Sequence, residues 1–278
     1  MIFEKINLCE NYPFLDKNGA APTVTAYIQQ ELQEESLRFE HPAMIVCPGG
    51  AYAFCSQREA EPIAIQFLKL GFNVFVLNYS VAPHKFPQAI CEVAATVDLI
   101  HNNADMWHID NNKIAMCGFS AGGHLTASYC TLRECDEVKA LIDAKPVQAA
   151  ILCYPVITAN PDFSHATSII NVSGRREITP DIIEKFSLER HVSKELTPPT
   201  FIWHTFADAG VPVKNSIVYA EALSKADVPF EMHIFPNGAH GMSTCDRQTL
   251  ANYKDDVCKY NSAWITLADK WLKMQFDI

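Results

Sequence analysis

Six short apolar runs punctuate the chain, and most of them do not alternate. Residues 43–46, 74–77, 113–117, 149–153, 200–203 and 230–235 are each of strand length, and most lack the in-out period of a half-exposed strand. That pattern fits strands covered on both faces. Helix-length segments with apolar spacing lie between them, at 60–70, 88–102, 122–132 and 213–226. Strands alternating with helices predict an α/β fold with a mostly parallel sheet and helices on both faces. An earlier alternating run, 23–28, predicts an antiparallel edge strand. Residues 253–276, with Trp264, Leu267 and Trp271 at helical spacing, predict one closing helix docked on the sheet. Residues 156–199 break the rhythm: polar and proline-bearing, with one short helix over 179–189, they read as a lid or cap inserted within a single domain spanning 1–278.

Composition narrows the function classes. With 278 residues, 49% of them hydrophobic, the chain can bury a sizeable core. Its net charge of −10, with no block of Lys or Arg, argues against nucleic acid as a partner. The opening stretch MIFEKINLCENYPF lacks the apolar core of a signal peptide, and no later run reaches the roughly 18 residues of a membrane span. A cytoplasmic protein with no membrane partner is expected, and a homo-oligomer is compatible with the sequence. The ten cysteines are scattered, and Cys47, Cys117 and Cys153 sit inside apolar runs, so they read as reduced thiols. No CxxC pair or HExxH helix is present, so neither a metal nor another cofactor is expected.

One stretch carries chemistry. GFSAGGHL, residues 118–125, follows a strand run and opens a helix, so Ser120 sits where the chain must turn sharply. Such a turn presents the serine oxygen at the carboxyl end of the sheet and aims the Ala121 N–H and the helix N-terminus at an oxyanion. Taken alone, the same letters describe a serine in a tight turn. A nucleophile needs a base beyond a late strand, and in this arrangement partners run in the order Ser, acid, His. His240, five residues past 230–235, meets that requirement. His204 and His233 fall within strands, and His124 lies one helical turn past Ser120, as a support for the elbow. His41, His84, His101, His108, His165 and His191 precede the required position. Asp208, in the loop after 200–203, supplies an acid in the right order, although a turn aspartate would look the same. Upstream, PGGAY (48–52) directly follows the first core strand and offers backbone N–H groups to a developing negative charge.

Together these residues resemble the α/β-hydrolase superfamily, within it the esterases that include acetyl-xylan and feruloyl esterases and the hormone-sensitive-lipase-like carboxylesterases. PGGAY, NYSVAPHKFPQA (78–89), the stretch 102–125, HTFADAGVPVKNS (204–216) and NGAHG (237–241) carry the resemblance. It implies Ser120 as nucleophile, His240 as base and then acid, and Asp208 as the orienting carboxylate. It also implies Gly50, Ala51 and Ala121 as oxyanion-hole donors, with PGGA replacing the HGGG of the carboxylesterases. Tyr52, His124 and Tyr154 are expected beside the substrate. The implied substrate is a small ester, a short acyl group on a sugar or xylo-oligosaccharide. Two other readings stay open, a prolyl-oligopeptidase-like serine peptidase and a hydrolase fold turned to binding without catalysis. About 40 residues before the first core strand cannot hold the propeller such peptidases usually carry.

Overall fold

All six runs become neighbouring strands of one sheet. The computed structural model describes residues 1–15, 21–30, 32, 34–250 and 254–278. Among them eight strands pair: β1 (Ile2–Asn7), β2 (Thr23–Ile28), β3 (His41–Cys47), β4 (Asn73–Asn78), β5 (Ile109–Phe119), β6 (Ala149–Cys153), β7 (Thr200–Thr205) and β8 (Phe230–Phe235). Their spatial order is β1-β2-β4-β3-β5-β6-β7-β8. The six from β4 to β8 run parallel, while β2 pairs antiparallel with both β1 and β4.

The missing alternation has a direct cause. Along β3, Ala43, Ile45 and Cys47 enter one hydrophobic layer while Met44 and Val46 enter the other. The same division holds in β5, where Ile114 and Met116 oppose Ala115, Cys117 and Phe119. Helices α2 (Gln88–Asn102), α3 (Ala121–Leu132) and α6 (Lys214–Lys225) cover the first layer. Helices α1 (Glu61–Lys69) and α8 (Ala263–Phe276) cover the second. Both sides of each central strand are therefore apolar, as a parallel sheet between helices requires.

Three expectations need correction. The strand at 23–28 is antiparallel, but β1 rather than β2 forms the edge. β1 presents no buried face, with Phe3 64% exposed, and is held by backbone pairing that leaves no apolar signature. Residues 156–199 contain two helices, α4 (Ala166–Ser173) and α5 (Pro180–Phe186), where one was expected. The closing segment is broken at Ser262 into α7 (Asp255–Asn261) and α8, and its predicted start at Tyr253 lies outside the described residues. Among the described residues no helix is long and apolar enough to cross a membrane.

Helix α8 is anchored by aromatic packing. Trp264 is fully buried, stacks on Trp203 of β7 with centroids 5.2 Å apart, and donates its indole N–H to the Ser243 carbonyl at 3.0 Å. Trp264→Ala should therefore cost about 3–5 kcal/mol. For a chain of this size that corresponds to a thermal midpoint lowered by roughly 10 °C, measurable by calorimetry against wild type.

Candidate active site

The end of β5 is where the backbone does something unusual. Ser120 adopts φ 52° and ψ −115° and α3 begins at the next residue. A side chain in that conformation is costly, so the surroundings must enforce it. They do so by close packing: a Cβ on Gly122 would lie 2.1 Å from the Cys47 carbonyl oxygen, and one on Gly118 would lie 2.3 Å from the Gly122 oxygen. Two glycines let α3 approach β3 and fold back on β5. The Ser120 carbonyl accepts from His124 and Val156 N–H at 3.0 and 3.1 Å, and its N–H donates to Cys153 at 3.0 Å.

Three side chains from separate loops then meet. His240 Nε2 lies 2.7 Å from Ser120 Oγ, and His240 Nδ1 lies 2.7 Å from Asp208 Oδ2. An ionised carboxylate only accepts, so Nδ1 carries the proton and Nε2 is free to accept the serine's. Asp208 is held from every side. Its Oδ1 accepts the N–H groups of Gly210 and Val211 at 2.8 and 2.9 Å, and His204 Nε2 stands 3.3 Å from Oδ2. Burial works against the ionised form, but the contacts from His204, His240 and Val211 outweigh it and hold the carboxyl well below its ordinary range.

The glycine-rich turn after β3 lies across from the serine. Its backbone runs through positive φ at Gly50, Ala51 and Tyr52, with values of 131°, 57° and 55°. Peptide planarity fixes where its N–H groups point, because a carbonyl tied down on one side sends the N–H of the same peptide to the other. Gly49 oxygen accepts from Ser56 N–H, and Gly50 oxygen from Ala53 and Phe54. The Gly50 and Ala51 N–H groups are thus turned away from those bonds. The Ser120 carbonyl is likewise bound into α3, which aims the Ala121 N–H out of the helix N-terminus. The left-handed Ala51 is steadied from residues 156–199, where Asn171 Nδ2 donates to its carbonyl at 2.8 Å.

These parts border a cleft of about 200 Å³ lined by Gly50, Ala51, Phe54, Arg58, Ser120, His165 and His240, among others. The three residues expected beside the substrate lie behind its walls. Tyr52 is 2% exposed, and its hydroxyl donates to His124 Nδ1 at 3.0 Å. His124 is fully buried and donates from Nε2 to the Phe186 carbonyl at 3.4 Å; burial lowers its pKa to about 4, so it stays neutral. Tyr154 is 1% exposed and sets its ring against His240, with centroids 5.1 Å apart. All three are held by packing that leaves the substrate side to others. Exposed Phe54 and Arg58 and half-buried His165 stand there instead. Burial and then the neighbouring His240 lower the pKa of His165. Position in the chain had excluded it, since only the fold returns the start of α4 to the serine.

The arrangement can activate a hydroxyl, hold a negative oxygen and hand a proton on, all at one small opening. Comparison with known proteins agrees with that chemistry. The BD-FAE family profile matches residues 32–223. The chain is 35% identical over 254 residues to endo-1,4-beta-xylanase B of Butyrivibrio fibrisolvens, covering 87% of this chain and 38% of that protein. It is 30% identical over 226 residues to an acetylxylan esterase of Xylanibacter ruminicola, covering 80% and 45% respectively. The chain thus spans less than half the length of these two curated relatives. Its fold superposes on an acetyl ester-xyloside bifunctional hydrolase from Caldicellulosiruptor lactoaceticus with a TM-score of 0.81 and 34% identity, covering 98% of this chain and 96% of the other.

The Asp208 environment makes a prediction about stability. A carboxyl whose folded value is lowered contributes fully above its unfolded value, near 3.9, and loses that contribution as pH falls toward the folded value. Asp208→Asn should therefore be less stable than wild type at pH 7, and the gap should narrow when urea unfolding is repeated near pH 3.

Proposed function

The chain belongs to the BD-FAE family, and we propose on that premise that it is a serine esterase that removes short acyl groups, acetyl foremost, from sugars or xylo-oligosaccharides. The relay Ser120–His240–Asp208, with both links at 2.7 Å, is the observation that carries the reading. In it, Ser120 Oγ attacks the ester carbonyl while His240 Nε2 takes its proton. The tetrahedral oxyanion is received by the N–H groups of Gly50, Ala51 and Ala121. His240 then returns the proton to the departing sugar oxygen, and a water activated by the same nitrogen frees the acyl group. Asp208 stays ionised throughout and stabilises the imidazolium.

Four features support the substrate class. The cleft of about 200 Å³ is smaller than the roughly 300–1,000 Å³ of pockets that enclose drug-sized ligands, so it suits a short acyl group with the alcohol outside. Residues 156–199 act as a cap that supplies His165 to the opening and, through Asn171, bonds the Ala51 carbonyl at its edge. The relatives include an acetylxylan esterase and an acetyl ester-xyloside hydrolase. All ten cysteines are thiols, which fits a reducing compartment and imported oligosaccharides rather than polymeric xylan.

Ser120→Ala should lower turnover of 4-nitrophenyl acetate by about 10⁴–10⁶-fold. Asp208→Asn should lower it by about 10⁴-fold by inverting the imidazole tautomer. Wild type should release acetate from acetylated xylo-oligosaccharides and leave proline-containing dipeptide amides intact. Amide cleavage would favour a peptidase, and failure of folded protein to react with a fluorophosphonate probe would favour a binding role.

A further inference from the structure

A buried carboxylate behind the oxyanion turn has no part in the relay. Glu59 ends a 3₁₀ turn (Gln57–Glu59), is 3% exposed, and still borders the cleft that holds Ser120. Its Oε2 accepts the Gly49 N–H at 2.8 Å, and its Oε1 accepts the Tyr154 hydroxyl at 2.7 Å. The turn rests directly on it, since a Cβ on Gly49 would lie 2.7 Å from Oε2.

Gly49 N–H belongs to the same peptide as the Pro48 carbonyl, and that carbonyl accepts the buried Tyr79 hydroxyl at 2.7 Å. One peptide plane is therefore gripped at both ends by buried side chains. The next two peptides, which carry the Gly50 and Ala51 N–H groups and are turned by bonds to Ser56, Ala53 and Phe54, continue directly from it. The other arm of Glu59 runs toward the base. Tyr154 hydroxyl accepts the Ser243 N–H at 2.9 Å, three residues past His240, and the Tyr154 ring packs on the imidazole.

We propose that Glu59 is a positioning residue for the transition state: with Tyr79 it clamps the Pro48–Gly49 peptide so that the Gly50 and Ala51 N–H groups face the oxyanion, and through Tyr154 it ties that turn to the His240 loop. The inference rests on the esterase reading above. A carboxylate buried only for stability would leave the reaction unchanged once the protein is folded. A clamp on the oxyanion donors instead affects the tetrahedral state and spares ground-state binding.

Glu59→Gln tests this, because the amide keeps the shape but sets an N–H against one of two donors. The variant is assayed on 4-nitrophenyl acetate and by binding of phenylboronic acid, which forms a tetrahedral adduct on a reactive serine. For folded Glu59→Gln, kcat should fall about 10–100-fold, within the range of losing part of an oxyanion hole, with KM within about twofold. Boronate affinity should fall by a similar factor. Tyr79→Phe, which frees the other end of the peptide and leaves the carboxylate in place, should show the same paired loss to a smaller degree and serves if Glu59→Gln does not fold. Wild-type kcat in a folded variant, or a fall in kcat with boronate affinity unchanged, would overturn the proposal. Ser120→Ala separates the two claims: full activity there defeats the esterase reading itself, whereas an inactive Ser120→Ala beside a normal Glu59→Gln defeats only the clamp.

Discussion

The site depends on how closely one helix approaches one strand. Gly122 of α3 sits so near the end of β3 that a single methyl group would meet the Cys47 and Pro48 carbonyl oxygens at 2.1 and 2.4 Å. That approach fixes two things together. It holds Ser120 in its strained conformation, and it places the turn at residues 48–52 across from it. The proposed nucleophile and oxyanion donors are thus parts of one packing contact, and the strain at Ser120 is borne by the sheet and helices around it. The glycines at 118 and 122 are then requirements of space, which explains why a motif weak as a string of letters is strong as a piece of strand-turn-helix.

Around that contact the charges are graded by burial and by what replaces water. Asp208 is buried but surrounded by donors, so it stays a carboxylate well below the ordinary range. Glu59 is buried more deeply than Asp208, with only two donors on it, and there burial prevails, pushing its carboxyl up. His124, buried with a hydroxyl and a carbonyl for partners, remains uncharged and links the nucleophile helix to Tyr52 on one side and to Phe186 on the other. Of Asp208, Glu59, His124 and His240, only His240, with its side chain 27% exposed, is both paired and open at the cleft. The imidazole proposed to gain and lose a proton is thus more open than His124, the other imidazole packed on the nucleophile helix.

What could be read from the sequence follows from where each residue's partners lie. Five of the six core strands were legible because burial on both faces writes a run of apolar letters, whereas β8, at the sheet's edge with Phe230 and Ile234 exposed, was legible from its β-rich letters alone. Ser120, Asp208 and His240 were legible as candidates because each follows a strand in a required order, although their meeting within 2.7 Å is a property of the fold. β1 was not legible, since its register is carried by backbone pairing and Phe3 stays exposed. Tyr52, next to the oxyanion turn in the chain, and Tyr154 were expected beside the substrate, yet both are nearly fully buried and packed behind the cleft. Glu59 and His165 were missed for the converse reason. One sits in the stretch SQREAEP, which reads as an ordinary helix start, and the other opens a helix more than 40 residues from any triad member in the chain.

The contribution of residues 156–199 couples chemistry to recognition. Asn171 from α4 holds the carbonyl of Ala51, one of two residues of the 48–52 turn that bear a side chain at positive φ. His165, at the start of the same helix, borders the cleft where the alcohol would leave. A substrate pressing on α4 thus presses on a segment bonded to the oxyanion turn. If the proposed esterase acts on acylated sugars, sequence change in this segment would alter which are accepted and, through Asn171, how well the tetrahedral oxygen is held. Variation is tolerated most easily in surface insertions. Here one polar anchor limits that freedom, because losing it would release a left-handed alanine at the centre of the reaction.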